Sequence, residues 1–240
     1  MKRLLITLTV LGFALASLGQ LTYGPKVGLN ISKYGFNYID SGLEPDMKFK
    51  MGGSVGAVMN LQINSFLAFQ PSLSFTKKGS SYDLGSDESG SAILTGYDRM
   101  RVAYLELPLN IAAGIRLGSG QIQLFAGPYL AFGVCGKRRW DYEENVNGNR
   151  TQYTDSQKIK FKGTVPEGGH DDDVMYQKPF DFGFDFGLGY KYNQLLFNLG
   201  FAMGLANLQP GSSTSEFDAK DFKYANRTVF LTAAWLFGDE

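Results

Sequence analysis

The stretch Phe180–Tyr192, FDFGFDFGLGYKY, constrains this chain more than any other. Phe180, Phe182, Phe184, Phe186, Leu188, Tyr190 and Tyr192 alternate with Asp181, Gly183, Asp185, Gly187, Gly189 and Lys191. Period two is a strand signal, because successive side chains leave opposite faces of a sheet. One face is bulky and aromatic; the other is small or charged. The run exceeds the usual strand of about five or six residues and suits a tilted strand crossing a bilayer, which needs roughly 9–11. Only Asn193 and Gln194 separate it from a second run, in which Leu195, Phe197, Leu199, Phe201, Met203 and Leu205 share a face. A two-residue loop pairs Tyr192 with Leu195. A slip by one residue would move Asp185 and Lys191 to the apolar face.

The same alternation recurs over residues 23–34, 49–61, 66–77, 101–117, 121–134 and 226–237. With the pair above, eight strands are expected. The connections between them alternate long and short. Polar stretches at 35–46, 78–98, 135–179 and 209–225 are the long ones. The short ones lie around Ile63-Asn64-Ser65, at Ser119-Gly120, where Leu117 would pair with Ile122, and at Asn193-Gln194. Short turns on one side and long loops on the other describe an outer-membrane barrel with both termini in the periplasm. The predicted fold is therefore all-β, an eight-stranded antiparallel transmembrane β-barrel. A mean hydropathy of −0.14 agrees, since half of each barrel strand is polar. Pro71, Pro108 and Pro128 fall inside strands, where a missing N–H predicts a bulge, a bend or a shifted boundary.

The amino terminus has a different character. Lys2 and Arg3 precede an apolar run over 4–15, and small Ser17 and Gly19 follow. This is the pattern of a secretory signal peptide over 1–19, leaving 20–240 as the barrel domain. The formal net charge is +0, so no basic excess points to nucleic acid. Cys135 is the only cysteine, which excludes an intramolecular disulfide; it reads as a small packing residue at a strand end.

Within the strands the apolar face carries no charge at its centre, as lipid contact requires. The opposite face carries Lys26, Glu106, Arg116, Asp181, Asp185 and Lys191. The interior of an eight-stranded barrel is filled by side chains, so these six read as a structural, paired polar network in the lumen. A proton or ion path is the functional alternative. Tyr23, Phe66, Tyr192, Trp235 and Phe237 are expected at the periplasmic interface, and Tyr34, Phe49, Phe75, Phe132 and Phe180 at the outer one. His170, the only histidine, stands in Gly168-Gly169-His170-Asp171-Asp172-Asp173. That run reads as a solvated acidic turn; a cation site would need ordered ligand spacing. No nucleophile elbow or nucleotide loop is present, so no catalytic residue, metal or cofactor is expected and the chain is read as a non-enzyme.

The signal sequence, YGPKVGLNIS, FQPSLSFTKKG, YLELPLNI, GPYLAFG and FDFGFDFGLGYKY together resemble the PorT-like outer-membrane β-barrel family of Gram-negative bacteria. The resemblance spans nearly the whole chain beyond the signal peptide. It implies residence in the outer membrane of a Gram-negative bacterium and contact with its lipid. It carries over no catalytic motif. The expected role is structural or surface-interacting, through long extracellular loops. The alternative implied by the family's name is a component of a protein secretion or uptake machinery, with other envelope or secretion proteins as partners. A third class, a lipid-modifying barrel enzyme, would need His170 beside a serine at the barrel rim.

Overall fold

The computed structural model describes residues 20–38, 47–89, 92–146, 149–166, 172–212 and 222–238. The expected signal peptide, 1–19, and His170 lie outside them. The strands are β1 (Gln20–Tyr38), β2 (Met47–Gln62), β3 (Leu67–Ser89), β4 (Ala92–Leu117), β5 (Gly120–Val146), β6 (Asn149–Phe161), β7 (Thr164–Val165), β8 (Val174–Gln177), β9 (Phe180–Tyr192), β10 (Leu195–Gly204), β11 (Gly211–Ser212) and β12 (Phe222–Trp235). Eight of them form a ring in the order β4-β3-β2-β1-β12-β10-β9-β5, closed by pairing of β4 with β5. Every ring pairing is antiparallel. The eight expected strands are these eight.

The hairpin of β9 and β10 pairs Tyr192 with Leu195 as its alternation requires. Its turn begins at Asn193, with φ of 50°, a left-handed conformation that asparagine tolerates. The β4–β5 turn falls one step earlier than predicted. Gly118 has φ of 62° and Leu117 pairs with Gly120, so Ile122 faces Ile115. Glycine occupies a left-handed position without steric cost, and that sets where the chain reverses. In the β2–β3 turn the Asn64 Oδ1 accepts hydrogen bonds from the Phe66 and Leu67 amides, 3.0 and 2.8 Å.

The three strand prolines form one patch on β3, β4 and β5. Pro71 faces Leu109, Pro108 faces Tyr129, and Pro128 faces Phe184. The ladder skips two pairs beside them, between Pro108↔Tyr129 and Ile111↔Ala126, and resumes in the same register. The bulges expected at the prolines lie elsewhere, between Phe49 and Ser54, between Asp83 and Ser86, and at Ala103/Tyr104. A proline removes one donor, but intact pairing on either side holds the register.

The outward face is a belt of exposed apolar side chains, among them Leu29, Met51, Leu107, Ile115, Leu124, Phe184, Leu188, Leu199 and Leu231. Tyr23, Phe66, Tyr192, Trp235 and Phe237 are exposed at the end where the turns and termini gather, and Phe49, Phe132 and Phe180 at the other. Tyr34 departs from expectation. It is buried in the lumen, 5.1 Å from the Tyr224 ring and 6.5 Å from that of Phe36. Its even number places it on the inward face of β1 with Asn30 and Ser32.

The supposed loops 78–98 and 135–179 are largely strands. The β3–β4 ladder continues to Ser89↔Ala92, the β4–β5 ladder to Ala92↔Val146, and β6 adds to the same edge of β5 above β9. A four-stranded ribbon therefore stands on one side of the barrel's outer rim. Thr, Tyr and Arg at alternate positions sustain strands without hydrophobic faces, so polarity alone concealed them.

Around Gly200 the lumen is tightly filled. The Gly200 site leaves room for the Phe125 and Phe230 rings, whose tips come within 2.8 and 2.6 Å of where a Cβ would stand. Gly200→Val should therefore destabilise the refolded barrel by about 1–3 kcal/mol, the usual cost of overpacking. Leu199→Val, one residue away on the lipid side, should change stability by well under that amount. Urea titrations scored by heat-modifiable gel migration compare the two; equal midpoints would contradict a packed lumen.

Candidate functional site

Two regions gather chemistry: the lumen and the ribbon. In the lumen, Lys78 from β3 and Glu106 from β4 form a buried ion pair at 2.5 Å. The Lys78 ammonium also lies over the rings of Tyr129 and Tyr104, 4.8 and 5.7 Å from their centroids. Across the barrel, Asp181 Oδ2 accepts hydrogen bonds from Asn226 Nδ2 at 2.7 Å and from the Tyr129 hydroxyl at 3.1 Å. Lys26 Nζ donates to Ser72 Oγ at 2.7 Å. Asp185 shares with Lys26, Lys78 and Glu106 the lining of a cavity of about 40 Å³. Such a cavity has room for a few waters. Toward the short-turn end, Gln70 Nε2 donates to both Asn60 Oδ1 and Gln123 Oε1, each at 2.9 Å.

Of the six residues expected in the lumen, Lys26, Glu106, Asp181 and Asp185 thus lie around one centre. Lys191 and Arg116 line the open mouth at the short-turn end with Asn60, Gln62 and Asn64. Lys191 is buried there, whereas Arg116 is exposed and does not join the network. Arg116 stands two residues before the turn at Gly118, so its inward direction leads to solvent. Lys78 takes the cationic role. Sequence reasoning ended the third strand at Lys77, yet Ser72, Ser74, Thr76, Lys78 and Ser80 keep one parity, and following it would have found Lys78.

The outer mouth is capped. Ile159 and Leu208 are buried, and Phe161 and Met175 pack with Val102, Tyr104, Tyr129 and Ile159. Gln177 Nε2 donates to the Tyr104 hydroxyl at 2.7 Å, and the backbone of Lys178 and Leu208 pairs at 2.9 Å. The segment read as the longest loop therefore folds back as β8 and closes the barrel from above.

On the ribbon, Arg138 forms a two-pronged hydrogen bond to Asp98, with distances from 2.5 to 3.1 Å, and lies 5.2 Å from the Trp140 ring. Tyr142 and Tyr153 stack at 4.9 Å. Asp141 Oδ1 accepts from the Thr154 hydroxyl at 2.8 Å and from Arg139 at 3.0 and 3.1 Å. The Thr154 hydrogen bond first, and then Arg139, hold the Asp141 carboxyl below its usual value of 3.8. Cys135 is exposed, not packed. The bulge at Val134 shifts the parity of β5, so Cys135 points outward. Among the described residues no three His, Cys, Asp or Glu side chains are placed to hold a metal ion.

A closed ring of eight strands with an apolar outside and a charged, plugged inside is a membrane barrel, and the family comparison agrees. A model described as "Outer membrane protein beta-barrel domain" matches residues 15–209. The chain belongs to that family. Its place is the outer membrane of a Gram-negative bacterium. No curated protein matches the sequence. Among solved structures it is similar to Ail, the attachment invasion locus protein of Yersinia pestis, in a complex with the heparin analogue sucrose octasulfate. That likeness has 12% identity and a TM-score of 0.38, covering 91% of this chain and 99% of that one. Neisserial surface protein A is similar at 11% identity and a TM-score of 0.35, covering 90% and 97%.

Removing one partner of the buried pair should expose its value to the barrel. Lys78→Met leaves Glu106 uncompensated and should cost about 3–5 kcal/mol. Lys77→Met, exposed on the adjacent outward position, should cost far less, and adding Glu106→Leu to Lys78→Met should recover much of the loss. Circular-dichroism melts in one detergent decide this; identical melts for Lys78→Met and the parent would show the pair to be solvated.

Proposed function

We propose that this outer-membrane barrel is a non-enzymatic surface-interaction protein. The barrel anchors the chain and the ribbon meets a partner outside the cell. The observation that carries this reading is strand length. β4 has 26 residues and β5 has 27, whereas a tilted strand crosses the bilayer in roughly 9–11. Close to half of each, 92–104 on β4 and 135–146 on β5, projects beyond the apolar belt as ordered sheet, a rigid support whose contact residues are already in place. Tyr97, Trp140, Tyr142 and Tyr153, with Arg138 and Arg139, are the residue types that dominate binding hot spots.

The filled and capped lumen supports an anchor and gives no support to a conduit. Membership of a secretion or uptake machinery, the second role implied by the PorT-like resemblance, would then act through the same ribbon. Within the family we take that resemblance as the finer placement, and residues 1–19 as a signal peptide removed to leave Gln20 at the start of β1.

Three measurements test this reading. Planar-bilayer recordings of the reconstituted mature chain should show no steady conductance, and a stable open channel would contradict the anchor role. A ribbon-shortened variant, with 83–97 and 142–153 each replaced by Asn-Gly, should still migrate as a folded barrel. Photo-reactive side chains at Tyr97 and Trp140 should give cross-links on intact cells, while one at Ser119 should not. Adducts confined to Ser119 would move the interaction to the periplasm and end the surface reading.

A further inference from the structure

The outward face of the ribbon carries its charges in tiers. Gly79 stands opposite Arg101, Arg101 opposite Lys137, and Lys137 opposite Lys158. Gly79 has no side chain, and Lys50 Cδ lies 3.3 Å from where its Cβ would be. Lys50 therefore fills that place, and the row reads Lys50, Arg101, Lys137, Lys158. Lys77 and Lys160, two residues nearer the membrane on β3 and β6, flank it. All six are exposed except Lys50, which is partly so.

The tiers above are different. Arg139 and Arg99 share Asp141 at 3.0 and 3.9 Å, Lys48 has Asp83 at 2.7 Å, and Arg150 has Glu143 at 3.6 Å. Among the described residues, no carboxylate lies within ion-pair distance of Arg101, Lys137, Lys158, Lys160, Lys77 or Lys50. Like charges directly opposite on strands about 4.8 Å apart repel each other. A surface made only for solubility would intersperse both signs, as the upper tiers do. Among the described residues the lower row has no carboxylate in ion-pair contact.

Its depth indicates where one comes from. Leu105 and Val134, 45% and 52% exposed, end the unbroken apolar runs on the outward faces of β4 and β5. Arg101 is four residues beyond the first and Lys137 three beyond the second. At about 3.3 Å per residue along tilted strands, the row stands roughly 8–10 Å past the hydrocarbon edge. That is the headgroup layer, and long basic side chains reach across such a distance.

We propose that Lys50, Arg101, Lys137 and Lys158 bind the phosphate groups of an outer-leaflet glycolipid whose acyl chains lie against the apolar belt beneath. Arg101 supplies a planar fork for two phosphate oxygens, and the lysines supply point charges around it. The apolar surface directly below the row selects an amphiphile over a free anion. The inference rests on the outer-membrane placement and is independent of what the ribbon tip meets outside the cell.

Native mass spectrometry of the refolded mature chain, in a zwitterionic detergent, tests the site with bisphosphorylated lipid A and its dephosphorylated form as probes. The parent should retain the bisphosphorylated lipid at least tenfold more strongly than the dephosphorylated one. Arg101→Gln with Lys137→Gln and Lys158→Gln should lose most of that preference. Lys48→Gln with Arg150→Gln, whose cations already have carboxylates, should keep it. In lipid-free detergent the triple variant should melt no lower than the parent, because it relieves repulsion. Retention of the lipid by the triple variant, or equal retention of both lipid forms, would overturn the site. So would displacement of the bound lipid by inorganic phosphate alone at matched phosphate concentration. If the triple variant loses binding only to a soluble sulfated polysaccharide, the row serves an extracellular polyanion and the lipid assignment falls.

Discussion

In hydrocarbon the backbone has no water to bond with, so every N–H and C=O that enters the membrane must find a partner in the chain. The β4–β5 pairing meets that demand. Without it the sheet would have two open edges in lipid; with it, each of the eight ring strands has a neighbour on both sides. The remaining architecture follows from this closure. A closed ring has an inside and an outside, and the period of two sends alternate side chains to each. The outside accepts only apolar residues. The inside is too narrow for water in bulk, so whatever charges enter it must be paired there.

That pairing is the work of residues from distant parts of the chain. Lys78 meets Glu106, and Tyr129 and Asn226 both hold Asp181. Phe125 and Phe230 fill the space that Gly200 leaves. β8 and the stretch around Leu208 then close the outer mouth. The same closure frees one sector of the ring to extend. β3, β4 and β5 continue outward and take up β6, so the molecule is a plugged barrel with a sheet on one flank.

The extension divides its charges according to what surrounds them. Above the headgroups, in water, cations are matched by carboxylates of the same sheet. In the row next to the apolar belt, among the described residues, they are not, and the proposed glycolipid phosphates supply the opposite charge there. The distinction is invisible along the sequence. Arg99 and Arg101 are neighbours on one face of one strand, and only the cross-strand register gives the first a carboxylate and leaves the second among lysines.

By itself the sequence determined what depends on local alternation. Phe180–Tyr192 and its partner run specify two strands, their register and which face meets lipid, because a period of two admits no other arrangement. Eight such runs with alternating connection lengths specify the barrel, and the inward parity of Lys26, Glu106, Asp181 and Asp185 was legible in the same way. Only the tertiary structure decided the rest, because it turns on which strands end where. Arg116 points inward by parity but lies beyond the packed lumen. Lys78 and Tyr34 belong to strands that outlast their apolar residues. The bulge at Val134 turns Cys135 outward. The polar stretches 78–98 and 135–179 became strands because a neighbouring edge was there to pair with, and no local pattern records the presence of a neighbour.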